Sequence, residues 1–106
     1  MNPAAVDMVA VTVELFGMAR IHAGVSSISL VVDPRTPVAA IVCALADECP
    51  GLIGNALRRS EGRAISVADG YALNRNGLAF LPTDPDLSLD WKTGDSLLLI
   101  SNQAGG

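Results

Sequence analysis

Residues 9–16 read VAVTVELF, and their period settles the kind of element the chain begins with. Val9, Val11, Val13 and Leu15 fall on one side; Ala10, Thr12, Glu14 and Phe16 fall on the other. Strict alternation of this kind predicts a β-strand with one buried face, because successive strand side chains point to opposite sides. Residues 27–32, SISLVV, alternate again, with Ile28, Leu30 and Val32 on one side. Two such strands predict an antiparallel pair, joined by a wide loop that Gly17 and Gly24 bracket and that carries Arg20 and His22.

The period then changes. In DPRTPVAAIVCALADECPG, residues 33–51, the side chains Val38, Ile41, Val42, Leu45 and Cys49 recur at helical spacing. Thr36 is the expected N-cap, Pro37 suits the first helical position, and Pro50-Gly51 ends the helix. LIGNALRRSEG, residues 52–62, is compatible with a second short helix, weakened by Gly54. YALNRNGLAF, residues 71–80, predicts strand, turn and strand, because Asn76-Gly77 tolerates the positive φ angles of a tight turn. Residues 81–95 form a loop or a turn of helix with two prolines. Thr93-Gly94-Asp95 then leads into SLLLI, residues 96–100, whose unbroken apolar run predicts a central strand covered on both faces.

This element order predicts an α+β fold: a mixed sheet of four to five strands covered by one main helix, in the ubiquitin-like β-grasp arrangement. In that layout the last strand lies mid-sheet beside the first. The domain is expected over residues 9–100, with an N-terminal extension at 1–8 and a flexible Gly-Gly tail at 101–106.

Composition narrows the function. The chain has 106 residues, enough for one domain with a core of its own. Half the residues are apolar and the mean hydropathy is +0.41, so an apolar patch for a partner is one expectation and a well-filled core the other. The net charge is −4, and Lys92 is the only lysine. Arg58, Arg59 and Arg63 cluster loosely among acids, which is no basic stripe; nucleic acid is excluded as a partner and a basic protein is favoured. Cys43 and Cys49 match no metal-ligand spacing and are read as small buried apolar residues, with a disulfide between them left open. No segment has the length of a membrane span or the pattern of a signal peptide, so a cytoplasmic location is expected.

No catalytic constellation is present, and His22 stands without a partner motif. The chain's chemistry falls to its end, SNQAGG. Gly105 and Gly106 have no Cβ and are the thinnest peptide available. Such an end can enter a narrow pocket of another protein and present its carboxylate there. Neither GxxxxGK[ST] nor GxGxxG occurs, so activation of that carboxylate with ATP must come from a second protein.

VELFGMAR at residues 13–20, ALNRNG at 72–77, TGDSLLLI at 93–100 and the terminal AGG together resemble the small sulfur carriers of the MoaD/ThiS type, nearest to MoaD, the small subunit of molybdopterin synthase. The resemblance covers residues 9–106. It implies that a ubiquitin-activating-like enzyme adenylates Gly106 and that a sulfur donor such as a cysteine desulfurase converts it to a thiocarboxylate. It further implies that the tail enters a MoaE-like large subunit and gives up its sulfur to a pterin. Gly105, Ala104 and Gln103 would lie in partner pockets. Phe16 and Arg20 match the LFxxxR segment that meets the partner in the family. The chain would be no enzyme itself and would hold no cofactor and no metal. Ser101 and Asn102 depart from the prolines of many MoaD-like tails, and MNPAAVDM has no counterpart. The same ending also serves thiamine, cysteine and other sulfur pathways, and ubiquitin-like modifiers joined to lysines.

Overall fold

The computed structural model describes residues 8–60, 64–81 and 89–101. The N-terminal residues 1–7, part of the long middle segment and the tail beyond Ser101 lie outside the described residues.

Strand β1 spans Val9–Leu15 and β2 spans Ser27–Val32. They pair antiparallel from Val9↔Val32 to Glu14↔Ser27. Val11, Val13 and Leu15 are buried together with Leu30 and Val32, as the alternation predicts. The segment between the strands differs from expectation. Gly17–Ala23 is a helix, α1, and not a loop; it buries Ala19 against the core. Its seven residues are too short for a clear period. Phe16, still extended at φ −129°, starts it, and Gly24, left-handed at φ 81°, stops it.

The main helix, α2, spans Val38–Glu48 and buries Val38, Ile41, Val42, Leu45 and Ala46, with Cys49 just beyond. Its cap corrects the expectation. Pro37 takes the N-cap position without a side-chain bond, and the Thr36 hydroxyl instead donates to the Asp33 carbonyl at 2.8 Å. Cys43 faces outwards on this helix, contrary to the buried reading, whereas Cys49 is buried; both are free thiols. Burial first, and the neighbouring Glu48 carboxylate second, push the Cys49 thiol above its ordinary pKa.

The expected second helix is also corrected. Pro50–Leu52 makes a single 3₁₀ turn, and Leu57–Arg59 is strand β3, paired antiparallel with β4, Ile65–Val67. Leu57 and Ile65 go into the core, which a strand of alternating character achieves and a helix broken at Gly54 does not.

Strand β5, Tyr71–Arg75, turns at Asn76-Gly77 into β6, Ala79–Phe80. Asn76 has φ 58° and Gly77 φ 72°, the conformation that the dipeptide predicts. The last strand, β7, spans Ser96–Ser101. It pairs parallel with β1, Leu15 level with Leu99, and antiparallel with β5. The main sheet therefore runs β2-β1-β7-β5-β6, five strands with the last one central. Leu97 and Leu99 are fully buried in the core, but Leu98 and Ile100 on the outer side are only half-buried. The expectation of a strand covered on both faces is corrected to one covered face.

Trp91 is a core residue that the loop reading did not anticipate. It is 2% exposed. Its indole N–H donates to the Thr36 carbonyl at 2.8 Å, and its backbone N–H to that of Pro34 at 2.7 Å. The Arg75 guanidinium lies over the ring, 4.9 Å from its centre. These contacts close the end of the core below α2.

Candidate functional site

The site is built around the C-terminal end of β7. Because β1 and β7 run parallel with Leu15 beside Leu99, the next residue of each strand, Phe16 and Ile100, falls at the same level. Strand β7 is described up to Ser101, in the company of α1, which starts at Gly17 directly after Phe16. A parallel pair of strands is what sets this: it puts the start of the first connection beside the end of the last strand.

Phe16 is 44% exposed, on the side away from the core, as the alternation predicts. Arg20, one helical turn further along α1, is exposed; its carbonyl caps the helix by accepting from Gly24 N–H at 2.9 Å, and its guanidinium has no hydrogen bond or ion pair among the described residues. These two sequence-predicted positions thus stand together beside the root of the tail. Gln103, Ala104, Gly105 and Gly106 lie outside the described residues.

The sequence reading missed the neighbours of Phe16. Met18 is 54% and Ile21 65% exposed, and Val25 just past the helix is exposed too. Met18 and Ile21 are three residues apart, a helical spacing that would have drawn attention had the segment been read as a helix. The outer face of the sheet continues the apolar surface through Ile100 and Leu98 to Phe80, which is exposed. Asn74 sits among them, paired with Leu98 and Phe80, buried, its side-chain oxygen without a hydrogen-bond partner among the described residues.

Among the described residues no group of His, Cys, Asp and Glu could hold a metal ion. His22 contributes chiefly its backbone, which Gly51 approaches closely. No helix among the described residues is long and apolar enough to cross a membrane. What the arrangement offers is the C-terminal end of β7, with exposed apolar side chains and the unpaired Arg20 guanidinium beside it.

Sheet order, register and the crossing main helix define a ubiquitin-like β-grasp domain. Solved structures place that fold in company. SAMP1 from Haloferax volcanii superposes with a TM-score of 0.70 at 22% identity, over 92% of this chain and 99% of that one. Small archaeal modifier protein 1 from Methanosarcina acetivorans gives 0.71 at 21% identity, over 93% and 98%. A Pyrococcus furiosus protein proposed to be molybdopterin converting factor, subunit 1, gives 0.62 at 17% identity, over 90% and 99%. No family model matches the chain. No curated protein matches it either.

Proposed function

We propose that the protein is a sulfur carrier whose terminal residue, Gly106, is the reactive group. The observation that carries this reading is the position of β7. A central strand delivers the chain to one rim of the sheet at Ser101, beside exposed Phe16 and Arg20, and Asn102-Gln103-Ala104-Gly105-Gly106 come next in the sequence. A partner that covers the Phe16 surface is thereby in position to receive the tail. The fold likeness to small archaeal modifiers and to the Pyrococcus furiosus protein supports a carrier or modifier role.

The chemistry divides between two proteins. A ubiquitin-activating-like enzyme joins the Gly106 carboxylate to the α-phosphate of ATP, with pyrophosphate leaving. The outer sulfur of a persulfide on a donor such as a cysteine desulfurase then attacks the acyl carbon and AMP leaves; a second thiol on the donor side attacks the resulting acyl disulfide, forming a disulfide with the donor cysteine and releasing the thiocarboxylate. The resulting thiocarboxylate is anionic near neutral pH and a strong nucleophile, on the logic that makes thiolates reactive. Gly105 and Ala104 let the tail pass through a narrow pocket, and Gln103 offers its amide to the walls. The most specific destination is molybdopterin synthesis, with a MoaE-like large subunit as the acceptor's host. This chain acts there as a cosubstrate and not as a catalyst, in the cytoplasm.

Mass spectrometry after incubation with the activating enzyme, ATP and a sulfur donor tests the reading. Exchange of one terminal oxygen for sulfur is the expected result. Deleting Gly105-Gly106 should abolish it while the fold persists. Sulfur transfer that survives the deletion ends the proposal. A second reading, favoured by the likeness to small archaeal modifiers, is attachment of Gly106 to lysine side chains; adducts on lysine in the same experiment would select it.

A further inference from the structure

The two edges of the main sheet are unlike. The β6 edge is two residues long, too short to template another strand. The β2 edge is six residues long and, among the described residues, pairs on one side only, with β1. Its residues, Ser27–Val32, include no charge, no proline and no positive φ, and its register to β1 is unbroken. Natural sheets blunt a free edge with those devices, and this one has none.

The register says which backbone groups are free. Leu15 N–H donates to the Ser26 carbonyl at 2.8 Å. In an antiparallel pair the bonded positions alternate, so Ile28, Leu30 and Val32 direct their backbone groups at β1. Those of Ser27, Ser29 and Val31 point away from the sheet. The even-numbered residues of β1 agree, because Thr12 N–H donates to Asp95 and the Ala10 carbonyl accepts from Gly94, both on the β7 side. Ser27, Ser29 and Val31 are all exposed, Val31 at 67%, and no described residue pairs with their outward groups.

The geometry points to a second copy of this chain as the occupant of the β2 edge. A two-fold axis through Ser29 sets Ser29 against Ser29 of the other copy and Ser27 against Val31. That single register pairs every outward N–H and C=O of the three residues. It brings Ile28, half-buried in the monomer, against Leu30 of the other copy on the core side. It opposes no like charges, although the chain as a whole carries −4, because the strand itself is neutral. The two five-stranded sheets join into one, with the two copies of β7 running in opposite directions. Three residues pair on each side, a short seam, so the dimer is weak, with a dissociation constant on the order of 0.1–1 mM.

Sedimentation of the full chain up to about 1 mM tests this, the range in which such a contact populates. The average mass is expected to rise towards the dimer, with amide exchange slowing at Ser27, Ser29 and Val31. Ser29→Lys sets two like charges face to face on the axis and should leave a folded monomer. Mixing Ser29→Lys with Ser29→Glu should restore association, a rescue that no pairing away from the axis predicts. Deleting Gly105-Gly106 should leave the dimer intact, which separates this result from the fate of the carrier proposal. A chain that stays monomeric throughout, association indifferent to Ser29→Lys, or an edge that takes up unrelated extended peptides but not its own copy overturns the inference.

Discussion

Gly51 touches the backbone of α1. A Cβ built there would stand 2.3 Å from the His22 carbonyl oxygen, a backbone atom that cannot swing aside. Gly51→Ala should therefore lower stability by roughly 1–3 kcal/mol, the usual cost of overpacking. Urea denaturation measures it, and a midpoint equal to that of the parent chain would refute the clash. Asp95 is the second residue with a calculable consequence. Partial burial acts to raise its pKa. The Lys92 N–H at 2.9 Å, the Arg75 guanidinium at 3.0 Å and the Asn76 amide at 3.2 Å outweigh that, and the carboxyl is held below its ordinary value. A depressed carboxylate stabilises the fold above its unfolded pKa, about 3.9, and that stability is lost as pH falls through the lower folded value. Denaturation midpoints should fall as the pH drops below about 4, less steeply in Asp95→Asn. At neutral pH the same variant should lose about 1–2 kcal/mol, because the amide replaces an ionised acceptor. An identical acid limb in the two proteins would remove Asp95 from the account.

Among the elements, α1 joins structure to function. It is anchored by Ala19 and by the approach of Gly51, and it presents Phe16, Arg20, Met18 and Ile21 outwards beside β7. Phe16→Ala removes a ring that is almost half exposed, so its cost to stability should stay below about 1 kcal/mol. Its effect on sulfur loading should be larger, a rise in the KM of the activating enzyme for this chain with kcat little changed, as expected of lost binding surface. Steady-state loading assays read both constants; an unchanged KM removes Phe16 from the partner surface. β7 shows the opposite division. Leu97 and Leu99 hold the core and Leu98 and Ile100 remain half open, so an unbroken apolar run here marks one covered face and one left half-exposed.

At the scale of the whole molecule, the decisive contact is the parallel pairing of β1 with β7, the first strand with the last. The alternations at 9–16 and 27–32, the helical period from Val38 to Cys49 and the Asn76-Gly77 turn were all legible, because each is a local pattern that packing reinforces. Their order was enough to reach the β-grasp arrangement, since few layouts bury one long helix on one mixed sheet. The sequence alone thus determined the strands of the main sheet, the main helix and the outward side of Phe16. Three things belonged to tertiary structure: the helical turn at Gly17–Ala23, the strand at Leu57–Arg59 and the burial of Trp91. Each is short or irregular, with too few residues for a period to show, and each takes its form from contacts with residues distant in the chain. The unpaired edge of β2 was likewise invisible in SISLVV, because an edge is defined by the neighbour a strand lacks, and only the assembled sheet decides that.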